Sequence, residues 1–165
     1  MVKKKVQAKV KFTMDSLQKG VDKATKLLIK EGGKIHKKLL TDFVKNNPEV
    51  AQVVWVQYTP GFNDGDPCTF DVGEICLKLT QEAKKDLLGE DLDDDTYEDV
   101  ISNPWDSDDY YLDESNKKRA KEIKEAFNLM IKKGFNDIVL EGVYGDGSKI
   151  TASKSGIVVE SYSEY

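Results

Sequence analysis

Cysteine, histidine and arginine are scarce in this chain of 165 residues: Cys68 and Cys76, His36 and Arg119 are the only ones. Two cysteines cannot build a disulfide framework, which points to a reducing cytoplasm. A zinc site needs several Cys or His ligands at close spacing, and that pattern is missing. Nucleophilic catalysis of the Ser-His-Asp or Cys-His kind would have to recruit His36, and neither cysteine has an activating sequence context. A single arginine leaves little for bidentate recognition of phosphates or bases, so direct nucleic-acid binding is not expected. No run of about eighteen apolar residues exists, so no membrane span is expected. Met1-Val2-Lys3-Lys4-Lys5 has no apolar segment behind it, unlike a secretory leader. Phosphate-binding patterns of the GxxxxGK[ST] and GxGxxG kinds do not occur. These absences lead us to expect no enzyme, no metal and no cofactor.

Charge is abundant and unevenly placed. Residues 1–46 carry 13 lysines against 4 acids, a net of +9, whereas residues 47–113 carry 3 lysines against 18 acids, a net of −15. The remainder is almost neutral, and the whole chain has a net charge of −5. Such a division lets the two charged parts neutralise each other, within one chain or in a homo-oligomer, or presents one of them to a partner. Carboxylates this numerous lose diagnostic value for acid–base chemistry.

Hydrophobic spacing predicts an α+β fold: one domain over residues 1–165, a small, mostly antiparallel sheet packed with helices, and an acidic insertion at about 89–114. Residues 6–12 alternate weakly, as a short strand would. Leu17, Val21, Ala24 and Leu28 form one helical stripe, with Asp15 or Ser16 as cap and a weak point or break at Gly32-Gly33. Ile35, Leu39, Leu40, Phe43 and Val44 make a second helix that Pro48 ends. Residues 51–58 read as a strand with apolar groups on both faces, hence a central or covered one. Residues 69–79 read as its partner, with a bulge at Gly73. Thr80 caps a short helix, and Ser115 caps a longer one that closes at Gly134. Residues 137–144 fit a buried strand or, slightly better, a helix capped by Asn136 or Asp137 and stopped by Gly145. Residues 149–153 and 157–162 then form a hairpin turned by Lys154-Ser155-Gly156.

The connection between the first two strands, Thr59-Pro60-Gly61-Phe62-Asn63-Asp64-Gly65-Asp66-Pro67-Cys68, is much longer than the two to five residues of an ordinary hairpin. Part of its composition follows from turn geometry, since Asn63 and Asp64 suit Asx turns and Gly65 a positive φ. It is not a calcium loop, because its glycine is misplaced and the twelfth position falls in the next strand. What turn geometry leaves over is a mixture of Trp55, Tyr58 and Phe62 as an apolar wall with Thr59, Asn63, Asp64 and Asp66 as hydrogen-bonding groups. Aromatic faces beside carboxylates suit a base or a sugar better than a phosphate. Lys34, Lys37 and Lys38 of the basic segment are candidates for phosphate contact. Gly145-Asp146-Gly147-Ser148 reads as a tight turn. The acidic stretch offers a different candidate. Asp93, Asp94, Asp95, Asp108 and Asp109 with Trp105 could imitate a phosphate backbone and occupy a host protein.

Trp55-Val56-Gln57-Tyr58-Thr59-Pro60 followed by Phe62-Asn63-Asp64-Gly65-Asp66-Pro67-Cys68, together with Tyr144-Gly145-Asp146 and the hairpin ending Gly156-Ile157-Val158-Val159-Glu160, resembles a family of small proteins of tailed bacteriophages and their hosts. Position 61 is Gly where that family's pattern suggests an aromatic. The resemblance implies a viral protein acting in the host cytoplasm. With the loop's chemistry, it leads us to expect a non-enzymatic binding protein directed against a host defence pathway, taking a nucleotide-like small ligand. The alternative is an acidic inhibitor of a host protein.

Overall fold

The computed structural model describes residues 2–61, 65–73, 75–83 and 114–163, with the side chains of all but 2–12 and 114–117. The acidic residues Asp93, Asp94, Asp95, Asp108 and Asp109, Trp105, and the loop residues Phe62, Asn63 and Asp64 lie outside the described residues.

The protein is α+β, and among the described residues three helices pack on one five-stranded, wholly antiparallel sheet. Helix α1 spans Val2–Asn46, strand β1 Val50–Tyr58, β2 Asp71–Val72 and β3 Cys76–Leu79. Helix α2 spans Glu114–Gly134, α3 Asp137–Tyr144, β4 Ser148–Ser153 and β5 Gly156–Ser161. Among the described residues no helix is long and apolar enough to cross a membrane.

Helix α1 is continuous, and two sequence expectations fail on it. Residues 6–12 are helical rather than a strand, because a weak alternation over one short window cannot resist the propagation of an adjoining helix. Asp15 and Ser16 therefore lie inside the helix and cap nothing. Gly32 and Gly33 do not break it. They let α3 approach closely: a Cβ on Gly32 would stand 2.7 Å from Val139 Cγ2, and one on Gly33 would stand 2.6 Å from Val143 Cγ2. Across the same contact, a Cβ on Gly142 would stand 2.5 Å from Ile29 Cδ1. The helix ends where Pro48 demands. The Asn47 side-chain amide donates to Phe43 O at 2.7 Å and satisfies one of the last carbonyls.

Strand β1 is central, between β4 on one side and β2 with β3 on the other. The predicted single partner strand is two, split around Gly73, whose N–H still donates to Val56 O at 2.9 Å. Thr80 Oγ1 accepts from Ala83 N at 3.2 Å, capping a helical turn at residues 81–83. Asn136 caps α3 through Val139 N at 3.2 Å, and Gly145 ends it at φ 85°. The β4–β5 hairpin turns at Lys154-Ser155, with Ser153 paired to Gly156.

The core lies between the sheet and the helices: Leu40, Phe43 and Val44 of α1, Ile123 and Met130 of α2, Leu140 of α3, and Val53, Trp55, Leu77, Leu79 and Ile150 of the sheet.

Candidate functional site

Alternation along β1 sends neighbouring side chains to opposite faces of the sheet. Trp55 and Gln57 point to the helices, and both are fully buried. Trp55 packs edge-on against His36 at 5.8 Å, Phe135 at 5.1 Å and Tyr144 at 5.6 Å between ring centroids. Its indole N–H donates to Gln57 Oε1 at 3.1 Å. The Gln57 amide in turn donates to Leu140 O at 3.1 Å and Gly145 O at 2.6 Å, tying the end of α3 to the sheet. Trp55 is thus a core residue and shares no face with Tyr58.

His36 lies inside this cluster, 1% exposed. Its Nδ1–H donates to Gly134 O at 2.9 Å, because a carbonyl can only accept. That leaves Nε2 as an acceptor, and neither Nε2 nor the Tyr144 hydroxyl has a hydrogen-bond partner among the described residues. Burial holds the His36 imidazole below its usual pKa, with Lys37 adding to the effect against the Gly134 hydrogen bond. Burial also pushes the Tyr144 phenol well above its usual range.

The outer face of the sheet is different. Tyr58 projects there, half-buried, and stacks at a tilt of 52° on Tyr162, with ring centroids 5.4 Å apart. Gly147 makes this contact across the sheet end workable. It sits at φ 62°, accepts from Tyr162 N at 2.7 Å, and a Cβ there would stand 3.0 Å from Tyr162 O. Asp146 joins the two loops: its Oδ1 accepts from Thr59 N at 2.7 Å and from Gly147 N at 2.8 Å. The Asp146 side chain is exposed, and its Oδ2 has no hydrogen-bond partner among the described residues. Lys149 is paired in register with Val56 on one side and Glu160 on the other, so it shares this face with Tyr58 and Tyr162. Asp71 stands opposite Tyr58 on β2, and Asp66 is exposed in the loop.

The two distant segments, Tyr58-Thr59-Pro60 and Tyr144-Gly145-Asp146, therefore meet at one end of the sheet. Sequence reasoning took Gly145-Asp146-Gly147 for a tight turn and left out Asp146, Lys149 and Tyr162. The alternation of β4 was the available signal for Lys149. The lysines it did choose belong to the helical layer. Lys34 is paired with Glu31 at 3.0 Å and Lys38 with Asp42 at 3.1 Å, and the Lys37 ammonium lies 5.8 Å above the Tyr144 ring.

Fold and site together define a single-domain α+β protein with an aromatic and carboxylate-lined end to its sheet. Models of known protein families, curated proteins and solved structures include none that the chain matches.

Proposed function

We propose that the protein is a non-enzymatic binder of a nucleotide-like small ligand, held at the sheet end between Tyr58, Tyr162, Asp146 and Lys149. The observation that carries this reading is the half-buried Tyr58–Tyr162 pair beside a carboxylate whose one oxygen is committed to the two loops. The tyrosine faces offer a planar base a stacking surface. Asp146 Oδ2 is an acceptor for an exocyclic amine or a ribose hydroxyl. Lys149, with Glu160 as its cross-strand neighbour, supplies the positive charge for a phosphate. The resemblance to small phage proteins supports a role against a host pathway that signals with such molecules.

Thermal shift of the purified chain against nucleotides and cyclic dinucleotides tests the reading. A ligand at a hundred times its Kd adds about 2.7 kcal/mol of stability, which raises the Tm of a domain this size by several degrees. Tyr58→Ala and Tyr162→Ala should each weaken binding by about 1–3 kcal/mol, the worth of one stacked base. Absence of a shift with every such compound removes the proposal.

A further inference from the structure

We propose that the free stripe of α1 is a coiled-coil seam that pairs two copies of this chain, independently of any ligand at the sheet end. Met14, Leu17, Val21, Ala24 and Leu28 are spaced by three and four residues in alternation, and Ile35 continues the series one heptad on. This is the 3.5-residue period of a and d positions, narrower than the wide stripe by which a helix joins a globular core. All six are exposed; Leu17 and Ile35 are each 60% accessible. Contact with the rest of the domain uses another side of the helix, where Ile29, Gly32 and Gly33 meet α3 and His36 and Leu40 enter the core. The stripe is therefore not the outer edge of the core.

The residues beside the stripe say what covers it. In the register that places Met14, Val21 and Leu28 at a, the flanking g positions are Thr13, Gly20 and Leu27 and the flanking e positions are Gln18 and Thr25, none of them charged. The neutral borders end there, because Gly32, the next e position, is covered by Val139 of α3, and Lys34, the g position beside Ile35, is charged and paired with Glu31. The charged residues of this stretch, Asp15, Lys19, Asp22, Lys23, Lys26 and Lys30, all fall at b, c and f. Two identical basic helices can then meet along the stripe without setting lysine against lysine. An acidic partner would be drawn to the lysine side and away from the apolar residues. A stripe with neutral borders fits another of the same kind, and the second copy supplies it under two-fold symmetry. Glu31 occupies the next d position, held by Lys34 at 3.0 Å, and it closes the apolar run before Ile35.

Sedimentation equilibrium of the full chain, from low micromolar to several hundred micromolar, tests this. The expected result is a concentration-dependent approach to twice the 18.6 kDa chain mass. The Val21→Lys/Leu28→Lys double variant should stay monomeric throughout. Its far-UV circular dichroism should show the domain folded, because both side chains are already exposed in the single chain. Lys23→Ala/Lys26→Ala, on the outer positions, should pair as the parent does. A parent chain that is monomeric at every concentration overturns the proposal. So does a double variant that still pairs, or pairing lost in the lysine variant, which would mark a charge-held contact instead.

Discussion

The one arginine of the chain has a structural post. Arg119 of α2 grips Glu49 with a fork, Nε to Oε1 at 2.7 Å and Nη2 to Oε2 at 2.8 Å, and Nη2 also donates to Asn47 Oδ1 at 3.3 Å. Glu49 lies in the turn between α1 and β1, so the fork fastens three elements. The Arg119 hydrogen bond holds the Glu49 carboxyl below its usual range. Because the pair is partly exposed, we expect Arg119→Ala to cost about 1 kcal/mol rather than the several of a buried pair. Arg119→Lys should recover little of it, since an ammonium cannot match both oxygens at once. Urea denaturation measures the loss, and carbon-detected titration should show the Glu49 carboxyl returning upward to the ordinary range in both variants. Full stability with lysine at 119 would mean the fork adds nothing. None of this was legible in the sequence, where a lone arginine gives no partner. The same holds for Asp146 and Tyr162, whose importance comes from meeting Thr59 and Tyr58 across the sheet end. Tyr58 and Thr59 themselves were legible, because an overlong connection with that chemistry marks its own ends.

At the scale of elements, local chemistry revealed what local chemistry decides. Pro48 stops α1, Asn136 and Gly145 bound α3, Gly73 interrupts the edge of the sheet, and two turn residues join β4 to β5. The glycines of α1 were misread because their reason lies in another helix. By helix propensity alone, Gly142→Ala should stabilise α3 by about 1 kcal/mol. Its Cβ would instead stand 2.5, 2.6 and 2.8 Å from Ile29 Cδ1, Cγ1 and Cγ2, so the whole side chain must move. Overpacking of this kind costs about 1–3 kcal/mol, and we expect a net loss of about 1 kcal/mol. Ile29→Ala should be less harmful in the Gly142→Ala background than alone, a coupling that a double-mutant cycle reads directly. Additivity of the two substitutions would show that the helices have room to separate. Gly20→Ala is the contrast: nothing lies within 4 Å of its added Cβ, and the helix there stands clear of the core. That change should raise helical content and slow amide exchange around residue 20, with the melting of the domain left where it was.

At the scale of the whole molecule, the scarcity of histidine gives the protein's stability a simple response to mild acid. His36 is the one side chain of ordinary pKa near neutrality, and it sits in a shell of Trp55, Phe135 and Tyr144 rings with its Nδ1–H on Gly134 O. Burial strips an imidazolium of its water and Lys37 on the next residue opposes it, which outweighs the Gly134 hydrogen bond, so the folded pKa lies below the usual 6.5. Above that value both folded and unfolded chains hold a neutral His36, and its contribution is complete. As pH falls below it, the unfolded chain takes up a proton that the folded chain refuses. Stability must then decline until the folded pKa is reached, by about 1.4 kcal/mol for each unit of depression. Denaturation at several pH values between about 7 and 5 should show that decline in the parent chain, and His36→Asn should flatten it, whatever its own cost at neutral pH. Proton NMR of the sole imidazole gives the independent reading: its ring resonances should keep the neutral shift through the interval in which a free histidine titrates. An imidazole that titrates at the ordinary value in the folded chain would mean that the cluster opens to water, and that α1 and α3 part from the sheet far more readily than their packing implies.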